Sequence, residues 1–280
     1  MPIAELNGVD LYYETTGTGE RLVLTHGSWT DGSGWAPAVG ALGERFEVVT
    51  WDRRGHSRSR TGPGPGSRDE DAADLAALVE HLGGPVHLVG SSYGSVVVLT
   101  LVARRPDLAA SAVAHEPPLL DLLDGTTDPA TAGAIAAVEQ EIASVLALID
   151  AGEHRRAAEQ FIDHVAVGPG TWARFPEPWQ ATLEGNAPTF LDEQRDPTSR
   201  SIDTAALAAA AVPLMLTCGT EGPEWYGAVI AELSRLVPAA RVEAIAGAGH
   251  VPHVTHTERW AATLLAFHEQ LTPATPEEAR

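Results

Sequence analysis

Val86-His87-Leu88-Val89-Gly90-Ser91-Ser92-Tyr93-Gly94-Ser95 decides the fold. The apolar run Val86 to Val89 has the length and composition of a buried strand, and Ser95 to Arg105 carries a helical pattern. Between them Gly90-Ser91-Ser92-Tyr93-Gly94 reads as one sharp strand-to-helix turn, G-x-S-x-G. A serine hydroxyl is a weak nucleophile on its own. Such a turn exposes it and aims backbone N–H groups at the place where a negative charge would develop. Ser92, centred between the two glycines, is therefore the candidate nucleophile, and Ser91 is not. In a chain with 27 glycines the pattern alone is weak, and a plain Gly/Ser turn is the bland alternative. The strand before it and the helix after it favour the catalytic reading.

Working outward, strand-like and helix-like segments alternate. Val9 to Thr15, Arg21 to Thr25 and Phe46 to Trp51 read as strands, and Asp71 to Leu82 as an amphipathic helix. Ala110 to His115, Val212 to Cys218 and Arg241 to Ala246 read as later strands separated by helical patterning. Alternation of this kind predicts an α/β fold, a mostly parallel central sheet with helices on both faces. Ligands of such sheets bind outside the carboxyl ends of the strands, where Ser92, Glu116, Glu221 and His250 are placed.

The alternation breaks between residues 117 and 207, which are mainly helical with interruptions such as Val167-Gly168-Pro169-Gly170. This segment is expected to be a helical cap inserted into a core made of residues 1–116 and 208–280. Its aromatics Trp172, Phe175, Trp179 and Phe190 either close over an apolar substrate or pack the cap on the core; Trp172, Phe175 and Trp179 are taken as substrate-binding candidates. Thr61 to Arg68 reads as a Gly/Pro loop and Thr272 to Arg280 as a frayed polar tail.

Composition removes several function classes. At 280 residues the chain can bury about 75% of its unfolded surface, ample for a large core. Acidic residues outnumber basic ones 38 to 18, and the net charge of −20 opposes nucleic acid and anionic membranes as partners. All 18 basic residues are arginine, so Schiff-base lysines and a P-loop lysine are excluded. The single cysteine, Cys218, forms no internal disulfide and is expected to be an inert thiol on a strand. No signal peptide is visible, no stretch reads as long enough to span a membrane, and a cytoplasmic setting is expected.

A nucleophilic serine needs a general base, and the base needs an acid to fix its tautomer. Among 11 histidines, His250 stands out because it follows a strand and the turn Gly247-Ala248-Gly249 near the C-terminus. His250, His253 and His256 also form an H-x-x-H-x-x-H run. It lacks the i, i+4 helical pair of a zinc site, and no metal is expected. Glu116 is the favoured acid, since it ends a strand in Ala114-His115-Glu116-Pro117-Pro118 and the prolines stop the chain there. Glu221, in Gly219-Thr220-Glu221-Gly222 after a later strand, is the alternative.

Over nearly its whole length the chain resembles the α/β-hydrolase family. Gly90-Ser91-Ser92-Tyr93-Gly94 matches its nucleophile elbow, Thr25-His26-Gly27-Ser28-Trp29 its oxyanion loop and Gly249-His250 its histidine turn. His115-Glu116-Pro117-Pro118 and Asp52 to Ser59 are similar to segments of the zearalenone lactone hydrolases, Ser-His-Glu members of the family. Two departures stand out: many relatives have glycine where Ser57 and Ser95 stand, and the oxyanion loop lacks a multi-glycine run. The resemblance implies a carboxylic ester or lactone hydrolase acting on a small apolar molecule as a monomer or homodimer, with no cofactor. Ser92 would attack, His250 take its proton and Glu116 steady the imidazolium, while the N–H groups of Tyr93 and Ser28 or Trp29 bind the oxyanion. His26 and Asp52 are expected to organise loops. Two other readings compete: the same triad used on a C–C bond or a cyclisation, and a receptor-like binding protein on this fold.

Overall fold

A strand that is apolar at successive positions has to be covered on both faces, and that demand fixes the architecture. The computed structural model describes residues 3–59 and 66–271. In chain order its elements are β1 (Ile3–Leu6), β2 (Val9–Thr16), β3 (Glu20–Thr25), α1 (Ala36–Leu42), β4 (Phe46–Trp51), α2 (Arg68–Leu82), β5 (Val86–Ser91), α3 (Tyr93–Arg104) and β6 (Ala109–His115). There follow α4 (Pro129–Asp150), α5 (His154–Gln160), α6 (Glu177–Gly185), α7 (Ala187–Arg195), α8 (Thr204–Ala209), β7 (Leu214–Gly219), α9 (Glu224–Leu236), β8 (Arg241–Ile245), α10 (Pro252–Thr255) and α11 (Thr257–Glu269).

The strands form one sheet in the order β1-β2-β4-β3-β5-β6-β7-β8. From β4 to β8 all neighbours run parallel, and β2 is antiparallel to both β1 and β4. Successive residues of a strand face opposite sides. Val23, Val49 and Leu88 accordingly join the core under α2, α3 and α9, whereas Leu22, Leu24, Val48 and Val89 join the core under α1 and α11. On the second face Trp35 stacks on Trp260 with ring centres 5.6 Å apart.

The expected strands and helices are found within a few residues of their expected ends. The antiparallel edge strand β1 and the short helix α1 were not anticipated. The Gly/Pro segment read over Thr61 to Arg68 falls largely outside the described residues. Its last residue, Arg68, opens α2: the Ser67 hydroxyl caps the helix by accepting from the Glu70 N–H, and Asp69, Glu70 and Asp71 occupy the first turn. The tail read over Thr272 to Arg280 also lies outside the described residues.

Between β6 and β7 the chain is entirely helical among its regular elements. One of these helices corrects the membrane expectation: α4, 22 residues long, is by length and composition alone long and apolar enough to cross a bilayer. Its apolar character comes from isoleucine, valine and leucine set among alanines. Val138, Val145 and Ile149 are buried against α5, α7 and α9, and Glu139, Gln140 and Glu141 interrupt the run that a hydropathy reading looks for.

Two glycines let α3 close on the sheet. A Cβ on Gly90 would stand 2.4 Å from the Gly94 carbonyl oxygen, and one on Gly94 would stand 2.3 Å from that of Thr25 and 2.5 Å from that of His26. Backbone cannot step aside as a side chain can. Gly94→Ala is expected to lower stability by about 3 kcal/mol. Gly133→Ala in α4, where a Cβ meets nothing within 4 Å, is expected to raise it by roughly 0.5–1 kcal/mol. Urea melts of the two variants test this, and similar shifts for both would contradict the packing argument.

Candidate active site

Ser92 sits at the junction of β5 and α3 with φ 55° and ψ −128°, a conformation that non-glycine residues avoid. Such strain costs about 1–3 kcal/mol and persists only when its surroundings hold it. Here the Ser92 N–H donates to the His115 carbonyl oxygen at 2.8 Å, and the Ser95 N–H donates to the Ser92 carbonyl at 2.9 Å. The Ser95 hydroxyl also donates to the His115 carbonyl, at 2.9 Å. Ser95 thus ties the turn to the end of β6. Tyr93 opens α3, so its N–H is among the first-turn donors that lack an acceptor within the helix.

Glu116, directly after β6, takes φ 45° and is 1% exposed. Its Oε2 lies 2.6 Å from Nδ1 of His250, and its Oε1 accepts the Gly219 N–H at 2.7 Å. Burial pushes the carboxyl upward, but the bond and charge of His250, the nearby His115 and the Gly219 N–H together hold it below its ordinary value. A carboxylate here fixes an Nδ1–H tautomer, which leaves Nε2 of His250 as the proton acceptor. Glu221 is exposed on its loop, where its N–H donates to the Ala248 carbonyl. The carboxylate that meets His250 is that of Glu116.

His115 is buried with Nδ1 3.0 Å from the Thr217 hydroxyl, and its Nε2 stands 3.8 Å from Glu116. Burial, helped by the His250 charge and opposed by Glu116, pulls it down to about 4, so it is neutral at physiological pH. Of the histidine run, only His250 enters this group. His253 packs 4.3 Å from Trp35, drawn down to about 3 chiefly by burial, and His256 is half-buried with Nδ1 3.0 Å from the Thr255 hydroxyl.

Tyr226, at the start of α9, is a site residue that the sequence reading missed. Its ring stacks on His250 at 4.5 Å and 16°, and its hydroxyl lies 3.2 Å from Nε2. Burial and the Glu116 charge raise the phenol well above its ordinary value against a bond with Ser92, so it stays protonated. The hydroxyl therefore touches both members of the reacting pair. Trp225-Tyr226 carries no local pattern that separates it from ordinary helix core.

The loop after β3 is held from both layers. His26 bonds the Gly27 carbonyl through Nδ1 at 2.8 Å and accepts the Arg53 N–H at Nε2, and Asp52 accepts from Gly32 N–H and Arg58. Both organise loops, as expected. Gly27 passes so near the elbow that a Cβ there would stand 3.0 Å from the Ser92 Cβ. The fully buried Arg53 donates to Asp71 at 2.7 Å and to Glu193 of α7 at 2.5 Å, and Glu193 in turn accepts the Ser28 hydroxyl at 2.5 Å. Asn186, also from the helical segment, donates to the Trp29 and Thr30 carbonyls at 3.1 Å and accepts the N–H of Ser57, which holds a positive φ of 42° that glycine adopts more readily.

Ser92 and His250 open on a cavity of about 540 Å³ whose walls are mostly apolar. That volume suits a small organic molecule. Phe175 and Trp179 line it together with Phe161 and Ile162, which belong to a single π-helical turn. Trp172 does not. Its ring is buried inside the helical segment under the Arg155 guanidinium, 5.5 Å away, so it packs the segment instead of facing a substrate. Phe190 is buried against Trp29 and Phe161.

A family model described as the alpha/beta hydrolase family matches residues 22–263. The uncharacterized hydrolase YraK of Bacillus subtilis is 34% identical over 126 residues, 43% of this chain and 46% of that protein. The chain thus spans less than half the length of that curated relative. An alpha/beta hydrolase from Sphaerobacter thermophilus superposes with a TM-score of 0.75 at 23% identity, over 95% of this chain and 100% of that one. The enol-lactonase from Burkholderia xenovorans superposes with a TM-score of 0.69 at 22% identity, over 96% of this chain and 100% of that one. These two likenesses concern the fold.

The Arg53 cluster has a pH signature. Burial is the largest influence on Asp71, and with the charges of Glu193 and Asp74 it outweighs Arg53 and pushes the carboxyl up to about 7 from 3.8. The folded protein therefore holds this proton more tightly than the unfolded chain. The associated stability is complete below about pH 4 and is lost as the pH rises through about 7. Asp71→Asn is expected to flatten the fall in melting temperature between about pH 5 and pH 8 relative to wild type. An unchanged slope would contradict the assignment.

Proposed function

The chain belongs to the alpha/beta hydrolase family, and within it we propose that it hydrolyses a carboxylic ester or lactone of a small, largely apolar molecule through Ser92, His250 and Glu116. The observation that carries this reading is the 2.6 Å bond from the buried Glu116 to Nδ1 of His250, set beside a serine on a strained turn at the wall of an apolar cavity. In this scheme Ser92 Oγ attacks the carbonyl carbon while its proton passes to Nε2 of His250. Glu116 stabilises the imidazolium without taking the proton. The N–H of Tyr93 and that of Ser28 or Trp29 bind the oxyanion. His250 then gives the proton to the leaving oxygen, and water, activated by the same imidazole, releases the acid and restores Ser92.

The remaining features fit an acyl transfer. A small-molecule partner suits the cavity, and a net charge of −20 opposes binding of nucleic acid. Tyr226 supports the base, its phenol face lying over an imidazole that becomes a cation during reaction.

Ser92→Ala is expected to lower kcat for a hydrolysed ester by roughly 10⁴–10⁶ with an unchanged melting curve. Glu116→Gln should cost about 10²–10⁴, because the amide presents the wrong partner to Nδ1. Glu221→Gln should stay close to wild type. Rates measured on ester and lactone panels, with melts on each variant, check this. A crippled Glu221→Gln beside an active Glu116→Gln would overturn the acid assignment, and a Ser92→Ala enzyme at more than a tenth of the wild-type rate would overturn the serine scheme.

A further inference from the structure

Two cavities meet at Ser92, and they are very unequal. The larger, about 540 Å³, is lined by Ser92, His250, Phe175 and Trp179. The smaller, about 40 Å³, is lined by Ser92, Tyr93, Tyr226, Val165 and Phe190, and His250 is not among its walls. Ser28, Ser92 and Phe161 border both and form the partition between them. On the other side of the imidazole the stacked ring of Tyr226 screens His250 from the smaller chamber.

The chemistry of acyl transfer assigns an occupant to each chamber. An ester has two arms on its carbonyl carbon, one that stays on the serine and one that leaves as an alkoxide. The leaving oxygen must receive its proton from Nε2 of His250, so the alcohol arm lies on the side that His250 lines, in the large chamber. The acyl arm is left with the small one. At about 40 Å³ against about 540 Å³, the small chamber has room for a short group only.

Resting on the ester-hydrolase reading above, we infer that the substrate is an open-chain ester in which a short acyl group is carried on a bulky apolar alcohol. The small chamber resists widening. Phe190 is 2% exposed and wedged against Trp29 and Phe161 at ring distances of 5.1 and 4.9 Å, and Val165 is buried as well. Close packing of this kind leaves no slack on that side of the chamber. A lactone whose ring ties a long acyl arm back to its alcohol cannot divide itself between two chambers, so the inference narrows the ester-or-lactone reading to open-chain esters.

The test uses naphthyl esters of acetate, butyrate, hexanoate and octanoate with the intact protein. The expected kcat/KM falls at least about tenfold from butyrate to octanoate. Phe190→Ala, with Ile142→Ala as a milder variant at the same chamber, should raise the octanoate-to-acetate ratio by about tenfold, while Trp179→Ala in the large chamber leaves that ratio unchanged. In parallel, p-nitrophenyl phosphonates bearing a methyl or an octyl group on phosphorus are reacted with the protein, and labelling of Ser92 is followed by intact mass. Faster labelling by the methyl probe supports the inference even if no ester turns over, in which case only the hydrolytic reading fails. Octanoate cleaved as fast as acetate, or octyl labelling as fast as methyl, overturns the inference while leaving the hydrolase reading intact. No labelling of Ser92 by either probe overturns both.

Discussion

Everything at this site hangs on a carboxylate kept charged where water cannot reach it. Glu116 gives up hydration at a cost of several kcal/mol, and that cost is offset only because two donors meet its two oxygens, His250 Nδ1–H and Gly219 N–H. Those donors come from after β8 and from the end of β7, so the bond requires three neighbouring strands in register. The nucleophile is tied to the same point. The His115 carbonyl, one residue before the acid, accepts both the Ser92 N–H and the Ser95 hydroxyl. Elbow and acid therefore share an anchor, and neither can shift without the other.

A second constraint couples the helical segment to the core. Ion pairs on the surface, such as Arg235 with Glu232, contribute little because solvent screens them. The buried Arg53 belongs to another regime, since a guanidinium stripped of its acidic partners in the interior costs about 3–5 kcal/mol. Glu193 joins that cluster to the Ser28 hydroxyl, and Asn186 clamps the carbonyls of Trp29 and Thr30. The position of the loop that borders Ser92 is thus set partly by residues of α7 and the turn before it. Orientation at the reacting centre depends on contacts made at a distance from it.

The sheet was legible because parallel strands buried on both faces leave unbroken apolar runs, as at Val86 to Val89, while amphipathic helices repeat at their own period. Ser92 and His250 were legible from glycine-bounded turns after strands, and Glu116 from the prolines that end β6. Other features leave no local trace. Arg53 and Glu193 stand 140 positions apart, and nothing near either one names its partner. Tyr226 looks like helix core until the histidine stacked on it is seen. The break in strand–helix alternation placed Trp172 and Trp179 in the helical segment, but it does not reveal which neighbour a side chain meets: Trp179 reaches the cavity, and Trp172 faces the interior of the helices. The edge strand β1 is short and alternates only weakly, and α4 hides a long apolar helix behind alanines and three polar residues.

The Glu116–His250 bond can be observed without any substrate. A proton held between Nδ1 and a buried carboxylate resonates far downfield of ordinary imidazole protons, and protein labelled with ¹⁵N at histidine assigns it to a ring nitrogen. The account expects one such resonance in the wild-type protein, lost in Glu116→Gln and retained in Glu221→Gln. A resonance that survives Glu116→Gln and disappears in Glu221→Gln would contradict it.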